Sequence, residues 1–198
     1  TSHAFRSFFD YYRKSSNRFG IFTLHNPDLN FRNLRKHRNS QNDGFEELTR
    51  QLVLADPPDN CLRIENRGPG ADGGVEILVH FPNGKVWGWQ SKFFLESFGN
   101  SEIGQLKKSF AAALQNFPTL ERYFVAIPRN LSGAATGKQK TQTQYWRDFT
   151  DWATSEAKKV KKGTQLVLWD ESHFIKRLQA NDPLHAGMRA YWFQQTVF

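Results

Sequence analysis

Apolar residues recur along this chain with two different periods. In residues 43–55, DGFEELTRQLVLA, the side chains of Phe45, Leu48, Leu52 and Ala55 fall three or four apart and form one apolar face, which predicts an amphipathic helix. Asp43 is placed to cap it, with Glu46 three residues on at capping-box spacing. Residues 101–117 repeat the pattern through Ile103, Leu106, Phe110, Ala113, Leu114 and Phe117, behind Ser101 as the expected cap. Residues 145–160 and 171–180 predict two further helices, and a short one is expected near 3–14. Strands are marked by alternation or by continuous apolar runs: CLRIEN at 61–66, a hairpin at about 75–81 and 85–94, RYFVAIP at 122–128 and TQLVLWD at 164–170. The segments between are polar or glycine-rich, notably RGPGADGG at 67–74 and NLSGAATGKQKTQTQ at 130–144. Helix, three strands, then alternating helices and strands predict an α/β fold with a mixed sheet flanked by helices.

Composition changes this picture at the N-terminus. Residues 1–42 are rich in Arg, Lys, Asn and aromatics, carry few acids and hold no sustained period. They read as a basic extension, whose aromatics either pack on the main domain or stack on nucleic-acid bases beside phosphate-gripping cations. The formal net charge of the 198 residues is +8, which favours polyanionic partners, nucleic acid first. Arg32, Arg35, Lys36 and Arg38, with Lys138 and Lys140 in the 130–144 loop, are the expected phosphate contacts. Cys61 is the single cysteine, so no disulfide forms within the chain and no Cys-based zinc site is available, which suits a cytoplasmic setting. No apolar run reaches the roughly 20 residues of a membrane helix. The chain begins at Thr1 and ends abruptly at Phe198, which predicts a domain cut from a longer protein: extension 1–42, main domain 43–180, and a tail 181–198 leading toward a further domain.

The hairpin carries polar residues where a half-buried strand should be apolar. The sequence FPNGK places Pro82, Asn83 and Gly84 in a three-residue loop, with Pro at the first turn position and Gly at the left-handed one. A two-residue Asn-Gly turn would shift the register, but would leave Pro82 without a role. The three-residue loop pairs Phe81 with Lys85, Leu78 with Gly88, Glu76 with Gln90 and Gly74 with Lys92. Alternation then puts Glu76, Gln90 and Lys92 on one face, and Asp72 with them if the strand persists into the glycine loop. The Glu76 carboxylate and the Gln90 carbonyl oxygen would bracket a hard cation such as Mg2+. Lys92 would neutralise charge on a reacting phosphate, and Glu46 would reach the ion through water.

These segments together, FEEL, GADGGVE and WQSK, resemble the PD-(D/E)XK phosphodiesterase superfamily, in particular its Mrr-like branch with Gln-x-Lys in the last motif. The resemblance covers residues 43 to about 95 by motif, and to about 180 by element order. It implies a restriction-endonuclease-like core and a Mg2+-dependent DNA endonuclease, with Mn2+ as a substitute and double-stranded DNA as substrate. Carried over by position, Glu46 is the helix acid, with Glu47 its rival; Asp72 and Glu76 compete as the strand acid; Gln90 and Lys92 are the last motif. The metal ligands are then drawn from Asp72, Glu76 and Gln90. The C-terminal stretch LVLWDESHFIKRLQ…HAGMRAYWF resembles the end of nuclease domains at the N-terminus of antiphage defence proteins, which implies control by assembly and a homo-oligomer.

Other motifs fall away. GAATGKQK has three residues between Gly133 and Gly137 where a P-loop needs four, and Gln139 where it needs Ser or Thr. The six histidines form no metal-binding pair in sequence. Two alternatives to the nuclease stand: a catalytically inactive nucleic-acid-binding domain on the same fold, and a protein-interaction module docking through the aromatic N-terminal region.

Overall fold

A computed structural model describes residues 29–68, 73–134 and 140–193. The helix expected near 3–14, Asp72 and Lys138 lie outside the described residues. The first helix, α1 (Gln41–Ala55), begins ahead of its sequence signal. Ser40, not Asp43, is its cap, because the Ser40 hydroxyl accepts the Asp43 amide at 3.0 Å.

Three strands follow as an antiparallel meander: β1 (Arg63–Asn66), β2 (Ile77–His80) and β3 (Val86–Ser91). Then come α2 (Asn100–Asn116), β4 (Leu120–Ala126), α3 (Gln142–Lys159), β5 (Gln165–Trp169), α4 (Glu171–Leu178) and α5 (Pro183–Phe193). The sheet has five strands in the order β1-β2-β3-β4-β5, with β3-β4 and β4-β5 parallel. The chain is therefore α/β with a mixed sheet, as the element order predicted, and β3 is the strand where antiparallel pairing gives way to parallel.

The hairpin has the expected turn. The Phe81 amide donates to the Lys85 carbonyl, and Gly84 lies at φ 78°, a left-handed position that glycine adopts without strain. Leu78 pairs with Gly88 and Ile77 with Trp89. Both strands are shorter than the expected 75–81 and 85–94. β3 stops because the Phe94 and Leu95 amides bond back to the carbonyls two residues before them, which turns the chain out of the sheet. β2 starts late because of an irregularity at Glu76 described below.

Three more boundaries differ from the sequence reading. β4 begins at Leu120, before the expected 122. α2 is preceded by Gly99, whose amide donates to Glu102, so Ser101 is helical and not the cap. α3 reaches back to Gln142, into the stretch read as loop: the Thr141 hydroxyl accepts the Gln144 amide at 3.1 Å, and Gln144 Oε1 accepts the Thr141 amide at 2.7 Å.

Helices cover both faces of the sheet. On one, α1, α4 and α5 bury Phe45, Leu52, Phe174 and Trp192 against Trp89, Phe124 and Trp169. On the other, α2 and α3 bury Leu106, Phe110 and Phe149 against Leu78, Tyr123 and Val125, with Phe98 and Phe117 buried in the same cluster. Residues at both ends join the first core. Phe31 lies edge-on to Phe45, Phe174 and Phe193, and Met188, Trp192 and Phe193 of α5 are buried there. Among the described residues, no helix is long and apolar enough to cross a membrane.

Candidate active site

The carboxyl end of β3 is where the candidate residues meet. The Val86 and Lys92 amides donate to Thr119 and Ala126 carbonyls on the β4 side. By alternation, the Ser91 amide between them faces β2. Its strand partner there is missing, because β2 is irregular at this point. The Glu76 amide donates to the Trp89 carbonyl at 2.9 Å, although Trp89 already has Ile77 as its partner in register. Two residues of one strand thus oppose one of the other, the arrangement of a β-bulge.

The bulge follows from the glycines before it. Gly73 and Gly74 lie at φ 66° and 83°. A Cβ on Gly74 would sit 2.0 Å from the Ser109 carbonyl oxygen of α2, so only glycine lets the loop lie this close to the helix. The buried Tyr123 hydroxyl donates to the Gly74 carbonyl at 2.9 Å and fixes it there. Val75 then packs over Gly88 and joins the same core as Leu78. Strict alternation therefore fails between residues 75 and 78. Glu76 meets Gln90 all the same, but through the bulge and not through a shared strand face.

Glu76 is 7 % exposed and Gln90 1 %. The Glu76 carboxylate occupies the gap left in the ladder: Oε2 accepts the Ser91 amide at 2.7 Å, and Oε1 accepts Gln90 Nε2. The sequence reading had the Glu76 carboxylate and the Gln90 carbonyl oxygen bracketing a cation; here the NH2 end of the Gln90 amide donates to the buried carboxylate. Gln90 Oε1 is left buried without a hydrogen-bond partner. Burial raises the Glu76 carboxyl pKa to about 8, and the negative charge of Glu46 on α1 pushes in the same direction. The Ser91 amide and the Lys92 charge oppose the shift. Glu46, Glu76, Gln90 and Lys92 are thus one electrostatic neighbourhood, drawn from α1, the bulge and the end of β3.

Glu47, the rival of Glu46, is committed elsewhere. Burial works against its charged form, but Arg50, bonded through two nitrogens, and Gln51 outweigh it and hold its carboxyl below the usual range. A small cleft of about 40 Å3 opens beside these helix acids, lined by His37, Arg38, Asp43, Glu46, Asn66 and Gly68 among others. Arg38 is held at its edge by a tight turn in which His37 and Ser40 exchange backbone hydrogen bonds and Arg38 takes φ 54°.

Among the described residues, no three His, Cys, Asp or Glu side chains gather as a metal cluster. The available donors are two carboxylates and one amide oxygen. That set fits Mg2+, which is commonly held by one or two carboxylates with water and substrate phosphate completing the shell. The buried Gln90 Oε1 has no hydrogen-bond partner, and the raised Glu76 pKa reflects burial first and the Glu46 charge second.

The expected phosphate contacts are spread over the surface. Arg32 pairs with Glu96 at 2.5 Å, and Lys140 with Asp148 at 2.6 Å. All four side chains are more than half exposed, so a phosphate competes with these pairs at little cost. The Arg35 guanidinium lies 4.6 Å above the Tyr191 ring, and Lys36 is exposed. Of the described members of this group, Arg38 lines the cleft beside Glu46. Ser91 and Tyr123 were not foreseen: Ser91 acts through its backbone amide and Tyr123 from a strand distant in sequence, so neither left a local signal. No family model matches this chain, and neither does any curated protein.

Proposed function

We propose that this chain is a Mg2+-dependent endonuclease that hydrolyses phosphodiester bonds in DNA, on a restriction-endonuclease-like core. The observation that carries the reading is the buried Glu76–Gln90 pair with an unused amide oxygen, beside Lys92 and within the field of Glu46. A purely structural Glu–Gln pair in a sheet has no use for a nearby second acid and a lysine. Burying a carboxylate here costs stability, and a metal site is the usual reason to retain one.

Bound Mg2+ supplies Lewis-acid polarisation of the phosphate and a more acidic bound water. The protein's own residues do the rest. Glu76 would hold the ion through its carboxylate, and Gln90 through Oε1. The Ser91 amide keeps the Glu76 carboxylate in position. Lys92 would meet the charge that develops on the reacting phosphate, and Glu46 would order a nearby water. Arg38, at the edge of the cleft, holds a neighbouring phosphate of the strand. A net charge of +8 draws DNA to the protein. The wider reading, an effector domain of an antiphage or restriction system, rests on the resemblance of the C-terminal stretch.

Supercoiled plasmid incubated with the protein should be nicked or linearised with Mg2+ or Mn2+ and left intact with EDTA. Lys92→Ala should lower the rate by about a hundredfold or more while keeping the wild-type melting profile. A Lys92→Ala rate within about tenfold of wild type would remove Lys92 from the mechanism.

A further inference from the structure

The exit from β3 carries a charge arrangement that the candidate site does not use. After Lys92 the chain makes two tight turns. The Phe94 amide donates to the Lys92 carbonyl at 2.8 Å, and the Leu95 amide to the Phe93 carbonyl at 3.0 Å. The turns lead to Glu96, whose carboxylate accepts both terminal nitrogens of Arg32, at 2.5 and 3.1 Å, in a fork. Arg129 comes to the same place from β4. It lies three residues beyond Ala126, whose carbonyl accepts the Lys92 amide, and its guanidinium donates to the Leu95 carbonyl at 3.2 Å. The Arg129 Nε is buried without a hydrogen-bond partner, and the side chain forms no ion pair among the described residues. The Glu96 carboxyl is held below its ordinary range, first by the bond from Arg32 and, more weakly, by the charge of Arg129. Two arginines far apart in sequence thus flank one carboxylate at the carboxyl ends of β3 and β4, the edge at which α/β sheets bind their ligands.

A structural tie does not account for this arrangement. An ion pair whose partners are 60 % and 68 % exposed adds little stability. Glu102, the next acid along the chain, is engaged at the start of α2, where it accepts the Ser97 hydroxyl and the Gly99 amide. Glu96 is held by arginine instead. A carboxylate and a phosphodiester share the feature that an arginine fork reads, two adjacent oxygens carrying negative charge. Glu96 is also near the candidate site. It lies four residues after Lys92, a span of at most about 14 Å even if fully extended, while charges on a DNA strand repeat about every 3.4 Å along the duplex axis. A strand engaged by Lys92 therefore has a phosphate within reach of these arginines.

We propose that Arg32 and Arg129 bind one backbone phosphate of the DNA strand that runs past Lys92, and that Glu96 stands in that phosphate's place in the free protein. The ligand is taken from the nuclease reading, on which the inference rests. Binding then exchanges one anion for another at Arg32, and the phosphate adds the unpaired charge of Arg129. Glu96 lowers DNA affinity, because its bond to Arg32 has to be broken first. Removing the Glu96 charge therefore strengthens binding by more than the loss of an acid elsewhere on the surface.

The test is fluorescence anisotropy of a labelled DNA duplex titrated with the whole chain, in EDTA so that no cleavage intervenes and at one fixed salt concentration. Glu96→Gln should tighten binding roughly two- to fivefold, the range of an exposed ion pair. The control is Glu121→Gln at the opposite end of β4, which removes an acid paired with Lys85 and should leave affinity nearly unchanged. Arg32→Ala should weaken binding, and by a larger factor in the Glu96→Gln protein than in wild type, because Arg32 then has no carboxylate to leave. Arg129→Ala should also weaken binding; the exposed Arg32 keeps the test readable if Arg129→Ala unfolds. Equal effects of Glu96→Gln and Glu121→Gln would overturn the proposal, as would an Arg32→Ala cost that is the same in both backgrounds. Absence of DNA binding by all of these proteins would overturn it together with the nuclease reading. The Glu96 effect without plasmid cleavage in Mg2+ would count against the nuclease and support this phosphate site.

Discussion

Glu76 carries a charge problem that makes it measurable. Its carboxyl is buried, and its pKa is raised to about 8, first by burial and then by the Glu46 charge. In the unfolded chain it titrates near the ordinary value of about 4.3. Between those values the folded protein keeps a proton that the unfolded chain has lost. This contribution to stability is therefore complete below the unfolded pKa, declines as pH rises through the window, and is gone above about 8. The loss is on the order of a few kcal/mol. Thermal melts of metal-free protein should fall steadily from about pH 5 to about pH 8, and Glu76→Gln should flatten that slope. Parallel slopes for the two proteins would show that Glu76 is not held protonated. At the proposed metal site, binding would expel this proton, so apparent Mn2+ affinity should rise with pH across this window. The meeting of Glu76 with Gln90 was legible from the Pro82-Asn83-Gly84 turn. The orientation of the Gln90 amide was not, because it depends on which donors a buried carboxylate finds around it.

At the scale of elements, the site depends on how the glycine pair delivers the chain to β2. Gly74 combines a left-handed backbone with direct contact against the α2 backbone. Gly74→Ala should destabilise the protein by roughly 3 kcal/mol or more, read as a lowered urea midpoint. A change below about 0.5 kcal/mol would mean that α2 can move aside. The glycines were visible as a loop signal, but their packing against α2 was not, since nothing local records which helix a loop will touch. Neither cap read from the sequence, Asp43 or Ser101, is the observed one. Ser40 and Asp43 both suit a helix start, and the side chain that reaches the free amide decided between them. The Thr141–Gln144 box stood in a polar run with no apolar period, and so read as loop.

At the scale of the molecule, the two cores make the ends of the described chain structural. Trp192 is 1 % exposed, its indole N–H donates to Gln51 at 2.9 Å, and its carbonyl accepts the Arg35 amide. Trp192→Ala should therefore cost roughly 3–5 kcal/mol, measured by urea unfolding. A near-neutral result would place α5 outside the cooperative unit. The sequence held the signal for α5 in His185, Met188 and Trp192, three to four residues apart, but the short stretch read more simply as a tail. The mixed sheet was legible because helices and strands alternate after the hairpin.

Under the proposed function, Glu76, placed by the bulge against Gln90, is the acid on which metal-dependent cleavage depends. Its most direct test is Mg2+ titration of plasmid cleavage by Glu76→Ala and Asp72→Ala beside wild type. Glu76→Ala should lose cleavage at every metal concentration, while Asp72→Ala should keep a measurable rate that saturates with Mg2+. Normal cutting by Glu76→Ala, with Asp72→Ala inactive, would contradict it and move the metal ligand to the glycine loop.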